Sequence, residues 1–272
     1  MGTCKAALIT VHGQGQTTVD YAQELEEELK KRLGSRWEEI AFETVYYQSV
    51  LQTNQENVWS RMPASVTRSS TWLREFLLYG FSDAAGLENQ KERPGSAYEK
   101  AQLKIVAALL NARERLIDPT CPIFVIAQSL GGHIFSSYLW DAEHAPQHSG
   151  VWREGGPLQD EDKPFLKLPN LKTFFTTGCN IPVFVAGHDE IKPVEGNFAW
   201  HNYYDKDDPL GWPLQPLSES YRLRVRDHEI AVRGKSPADF AAGFTPFSHG
   251  LYWRDALVLE PLASALRDTL DT

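Results

Sequence analysis

Short apolar runs alternate along the chain with longer stretches whose apolar positions recur every three or four residues. "CKAALITV" (Cys4 to Val11) closes on "HGQGQTT", the pattern of a buried strand ending in a glycine turn. Thr17 and Asp20 have capping-box spacing. Ala22, Leu25, Leu29 and Leu33 then share one face, with acids early, Lys30, Lys31 and Arg32 late, and Gly34 as the stop, which predicts a helix. "IAFETVYY" (Ile40 to Tyr47) is the next strand. Ser96 and Glu99 open a long helix with Leu103, Val106 and Leu110 on its apolar face. "PIFVIA" is a strand that runs into a helix from about Leu130 to Trp140. "KTFFTT", "FAWHNYY" and the pair "YRLRVR" and "EIAVR" are further strands, and the last helix runs from about Asp255 to Leu270. Strands alternating with amphipathic helices predict an α/β fold, a mostly parallel sheet covered on both faces.

Two stretches break the alternation. Residues 49 to 94 set Trp59, Trp72, Phe76, Leu77, Tyr79 and Phe81 among Ser, Asn and Gln, as expected of a helical lid or cap insertion. Residues 141 to 170 hold the longest polar stretch and read as a second, polar insertion. Neither is as long as a domain, and no seam or internal repeat appears. With 272 residues and 42% hydrophobic content the chain is expected to form a single domain around one large core.

Charge narrows the partners. A net charge of -9 with no stripe of Lys or Arg argues against nucleic acid, whose phosphates demand clustered cations. No apolar run approaches the roughly 18 residues of a membrane span, and "MGTCKAALITV" lacks the pattern of a secretory signal, so a cytoplasmic protein without stable membrane insertion is the expectation. Cys4, Cys121 and Cys179 are odd in number and widely spaced, the pattern of reduced thiols rather than of a disulfide framework or a zinc site.

Candidate chemistry centres on "FVIAQSLGGHIF", residues 124 to 135, where an apolar strand runs through Ser129 into a helix. Ligands of α/β sheets bind outside the carboxyl ends of the strands, which is where Ser129 falls. A strand that reverses into a helix within two residues brings backbones nearly into contact, and Ala127, Gly131 and Gly132 supply the small neighbours this requires. A serine there also fits a plain helix N-cap. The residues resemble the GxSxG nucleophile elbow of the α/β-hydrolases, with Ala127 in place of the first glycine. Alone the pattern is weak, since average residue usage produces it by chance in roughly one chain in six of this length.

The resemblance implies a base and an acid in the order Ser, acid, His. Of eight histidines, His249 in "FSHGLYW" stands where the family places its base, after the last strands and before the final helix. His12 and His133 belong to the glycine turns, where backbone-supporting hydrogen bonds are expected. The acid falls in "NYYDKDDPLGWPL", where Asp208 directly precedes proline as in lipase-like members; Asp205 and the earlier Asp189 and Glu190 of "GHDE" stay open. At least two of the three aspartates in "DKDD" are expected to be solvated.

Oxyanion donors implied by the family are the N–H of Leu130 and, from the "HGQG" turn, that of Gln14, with Gly15 as a further candidate. That turn lacks the Lys-Ser/Thr ending of a phosphate-binding loop. Because the glycine turn comes so early, the sheet should be a reduced α/β-hydrolase version of about six strands. Trp59, Trp72 and Phe76 are candidate substrate-binding residues on the insertion, favouring a small-molecule ester with an apolar acyl or aromatic group. The implied activity is cofactor-free, metal-free hydrolysis of carboxylic esters through an acyl-enzyme. A thioesterase or acyltransferase with the same triad is the alternative, and a non-catalytic binding scaffold the rival from another class.

Overall fold

A computed structural model of the chain describes residues 2–13, 17–50, 58, 60–61, 91, 93–144, 149–187, 191–232 and 249–271. Its centre is a six-stranded sheet of β1 (Ala6–Val11), β2 (Ile40–Val45), β3 (Ile123–Gln128), β4 (Leu171–Thr177), β5 (Ala199–Tyr204) and β6 (Val225–Glu229), in the order β2-β1-β3-β4-β5-β6. Every neighbouring pair is parallel. The helices that matter to the site and its surroundings are α1 (Gln23–Leu33), α2 (Ala97–Arg115), α3 (Leu130–Glu143), α4 (Lys163–Leu166), α5 (Ile181–Val185), α6 (Glu219–Arg224) and α7 (Ala256–Leu270). The architecture is α/β, a parallel six-stranded sheet flanked by helices.

Strand periodicity divides the core into two layers, because successive side chains point to opposite faces. Ala7, Ile9, Val11, Val125, Ala127 and Phe174 join a cluster with Ile105 and Leu109 of α2 and Ile134 and Phe135 of α3. Ala6, Leu8, Phe124, Ile126 and Phe175 face the other way, against Leu25 and Leu29 of α1 and Val258, Leu259 and Leu262 of α7. All six residues of β1 are buried, as a parallel strand covered on both faces must be. Among the described residues, no helix is long and apolar enough to cross a membrane.

Local signals set most helix ends. The Ser96 hydroxyl accepts the Glu99 N–H, and the Glu99 carboxylate accepts the Gly95 N–H. Gly34, at φ 56°, ends α1 with its N–H on the Lys30 carbonyl. The other end of α1 departs from expectation: it begins at Gln23 after Ala22, with no side-chain cap from the Thr17 and Asp20 pair. Tyr21 explains the delay. Its hydroxyl donates to the Thr10 carbonyl and accepts the Val45 N–H, so the approach to the helix is tied to the sheet first.

The predicted strand pair "YRLRVR" and "EIAVR" is instead a helix followed by one strand that straddles the two segments, and Ile230 to Val232 lie past its end. The Ser218 hydroxyl accepts the Tyr221 N–H, and Glu219 pairs with Arg222 at i,i+3, so the first half winds into α6 before Val225 enters β6. Capping outweighs apolar alternation here.

The described part of the 141 to 170 stretch is anchored rather than loose. Val151, Trp152, Phe165 and Leu166 are buried in the core. The Gln102 side-chain Oε1 accepts the Val151 N–H at 2.9 Å, and Arg153 pairs with Glu99 at 2.7 Å.

Candidate active site

Ser129 is the hinge between β3 and α3. Its backbone sits at φ 51°, ψ -124°, a region that a residue with a Cβ adopts only under constraint. One constraint is visible: the Ser129 N–H donates to the Thr177 carbonyl at the end of β4. Although Ser129 occupies the N-cap position, its side chain caps nothing. Its Oγ is buried and has no hydrogen-bond partner among the described residues.

Small neighbours are a steric requirement. A Cβ on Gly131 would lie inside contact distance of the His12 carbonyl oxygen and 2.8 Å from that of Val11. On Gly132 it would meet Cys179 Sγ at 2.8 Å, and on Gly13 it would meet Ser129 Cβ at 3.0 Å. The start of α3 is thus pressed between the ends of β1 and β4. That position gives the N–H of Leu130, the first residue of α3, the character of a helix-start donor beside Ser129.

The turn after β1 is braced by His12. Its ring stacks on Tyr47 at 3.9 Å between centroids, Nδ1 lies 2.6 Å from the Gly13 carbonyl, and Nε2 accepts the Tyr47 N–H. The Tyr47 hydroxyl donates to the His12 carbonyl. Burial lowers the His12 pKa to about 4, against the raising effect of the Gly13 hydrogen bond, so the ring is neutral.

His249 comes from the other end of the chain to the carboxyl ends of β3 and β4. Gln128, the residue before Ser129, donates its side-chain amide to the His249 carbonyl. Gly178, the residue after Thr177, lies under the His249 ring, so that a Cβ there would stand 2.9 Å from Nδ1. The ring is therefore flanked by the neighbours of the two residues joined by the Ser129–Thr177 hydrogen bond. Its Nδ1 lies 2.8 Å from Asp208 Oδ2, whereas Nε2 is buried with no hydrogen-bond partner among the described residues. An Nδ1–H donated to the carboxylate leaves Nε2 as a bare lone pair.

Asp208 is held on both oxygens. Oδ1 accepts the Leu210 N–H at 2.9 Å, and Oδ2 accepts the Tyr252 hydroxyl at 2.9 Å besides the imidazole. Burial first and the nearby Asp208 charge next push the Tyr252 phenol well above its ordinary pKa, so it stays a donor. A Cβ on Gly211 would stand 2.8 Å from that hydroxyl and 2.9 Å from Asp208 Oδ2.

Asp205 has a separate task. Its carboxylate accepts the N–H groups of Asp207 and Val232, and its own N–H donates to Tyr252 Oη. It is 1% exposed, so only Asp207 of the three aspartates in "DKDD" is a solvated turn residue, contrary to expectation. Backbone amides rather than water satisfy Asp205.

The structure thus places Ser129, Leu130, Asp208 and His249 around the carboxyl ends of β3, β4 and β5. Gln14, Gly15, Trp59, Trp72 and Phe76 lie outside the described residues, as do Asp189, Glu190 and the aromatics Tyr79 and Phe81. His133 stacks on Phe184 at 4.3 Å, and His201 and His228 pair with each other across β5 and β6 at 2.9 Å. Sequence reasoning passed over Tyr252, Gln128 and Gly178. The first stands three residues after His249 and donates to the same Asp208 oxygen; the other two flank strand ends and carry no signature of their own.

No protein-family model matches the chain, and no curated protein matches it. Among solved structures it is similar to a provisionally assigned YdeN-like hydrolase from Pectobacterium atrosepticum, at 12% identity and a TM-score of 0.37, over 97% of this chain and 92% of that one. A likeness at that level says nothing about chemistry, which rests on the geometry above.

Proposed function

We propose that the chain is a serine hydrolase of carboxylic esters, with Ser129 as nucleophile, His249 as base and Asp208 as the acid that orients it. The observation that carries this reading is a pair of buried atoms near the carboxyl ends of the central strands, Ser129 Oγ and His249 Nε2, neither with a hydrogen-bond partner among the described residues. Burying a polar atom without a partner costs about 1–3 kcal/mol, and a fold that leaves both a hydroxyl and a lone pair unused there has a reason to keep them.

In the reaction, Oγ attacks the ester carbonyl as its proton passes to Nε2, and the negative charge moves to the former carbonyl oxygen. Asp208 stabilises the imidazolium so formed. The Leu130 N–H faces the developing oxyanion, where one such donor is worth about 3 kcal/mol; Gln14 is the expected second donor. The tetrahedral adduct expels the alcohol, which takes the proton from Nε2, and leaves an acyl-serine. Water, deprotonated by the same nitrogen, then releases the carboxylate and restores the serine. A small ester with an apolar acyl or aromatic group is the proposed substrate class.

The test is reaction with a fluorophosphonate probe followed by mass-spectrometric mapping, alongside turnover of nitrophenyl esters of two to twelve carbons. The adduct is expected on Ser129. Labelling of another residue, or neither labelling nor turnover, would overturn the assignment.

A further inference from the structure

A cavity of about 310 Å³ lies beside α3. Ser129, Leu130, Asp208 and His249 do not line it. Its α3 wall is His133, Ser137 and Trp140, residues spaced along one face of the helix, and its floor is Leu171, Ile181, Val185, Trp200 and Tyr221 from the sheet and the short helices. His133 stands one turn after Ser129, about 6 Å along the axis. The cavity therefore runs along the same helix that begins at the candidate nucleophile.

The mouth is charged, and unevenly so. Lys91, Lys167 and Lys192 line it, against Glu143 and Glu195. Glu195 lies 3.5 Å from His144 Nε2. Lys192 is held over the Trp140 ring at 5.2 Å and Lys91 over the Tyr98 ring at 4.8 Å, so aromatic faces steer two of the three ammonium groups. In a chain with 36 acidic residues against 27 Lys and Arg, the cavity lining reverses the balance, with three lysines against two glutamates.

We infer that this cavity is a second binding site, for a small amphipathic carboxylate: an apolar chain or ring in the cavity and a carboxylate among the lysines. Its volume is at the low end of small-molecule pockets, which suits a ligand of about ten non-hydrogen atoms. The inference is independent of the role assigned to Ser129.

Octanoate is the probe. Calorimetric titration into the full chain is expected to give saturable binding in the sub-millimolar range, as about ten atoms reach at ordinary ligand efficiency. Octylamine, with the same chain and the opposite charge, is expected to bind at least roughly tenfold more weakly. Lys167→Glu/Lys192→Glu reverses two exposed charges at the mouth, and Ser137→Phe fills the cavity from α3. Each is expected to weaken octanoate binding by roughly tenfold or more, while thermal unfolding shows the protein folded and labelling of Ser129 is unchanged. No saturation by about 5 mM octanoate, equal binding of octylamine, or full binding in either folded variant would overturn the inference.

Discussion

Replacing Ser129 should make the protein more stable while abolishing turnover. In the folded protein this residue carries two costs: a buried hydroxyl with no partner among the described residues and a backbone at φ 51°. Ser129→Ala removes the first, worth about 1 kcal/mol at the lower end of measured desolvation penalties. Ser129→Gly removes both. The backbone adds about 1–3 kcal/mol, from which the greater freedom of glycine in the unfolded chain takes back about 0.5–1 kcal/mol. The expected order of stability is wild type, then Ala about 1 kcal/mol higher, then Gly about 2 kcal/mol above wild type. For a domain of this size each kcal/mol raises the midpoint by about 2 °C, so Gly should melt roughly 4 °C above wild type. Scanning calorimetry and urea unfolding of the three proteins measure this directly. If both variants melt at or below the wild type, the strained, unsatisfied elbow is not what the geometry says it is.

Three further outcomes follow from named contacts. Tyr252→Phe removes one of two side-chain donors to Asp208 Oδ2 and the acceptor of the Asp205 N–H, so ester turnover should fall about tenfold, the equivalent of a hydrogen bond to a charged group, and an unchanged kcat would refute its positioning role. Gly131→Ala forces a methyl onto the His12 and Val11 carbonyls, backbone that cannot swing away, and should cost about 2 kcal/mol or more in unfolding free energy; a loss under 0.5 kcal/mol would show the corner to be pliable. His12 sits at about 4 when folded against an ordinary 6.5, so below pH 6.5 the unfolded chain binds the proton that the native ring refuses. Stability from this residue is whole above pH 6.5 and drains by up to about 1.4 kcal/mol per pH unit down to pH 4, about 3 kcal/mol in all. His12→Gln should flatten that part of the pH–stability curve, and parallel curves would contradict the assignment.

The corner was legible before the fold because its demands are local. Ala127, Gly131 and Gly132 are small for contacts that any strand reversing into a helix must make, and the apolar periods on either side identify the strand and the helix. The same holds for the Ser96 cap, the Gly34 stop and the buried β1. Where local signals competed, pattern reading failed: the segment from Glu219 to Glu229 alternates like a strand, yet the Ser218 cap and the Glu219–Arg222 pair wind its first half. Tyr21 likewise delays α1 through bonds to two strands, which no window around Thr17 contains.

By itself the sequence determined the alternation of elements, the parallel sheet they imply and the serine at its turn, since these follow from short-range sterics and from a period of 2 or 3.6 residues. The resemblance pointed to Asp208 through the proline after it and left Asp205 open, but what each carboxylate touches is a tertiary matter: Asp208 meets His249, and Asp205 turns onto the amides of Asp207 and Val232. The lysine-rimmed cavity was equally invisible in one dimension. Lys91, Lys167 and Lys192 are far apart along the chain and line one cavity only in the folded protein, beside His133, Ser137 and Trp140 of α3.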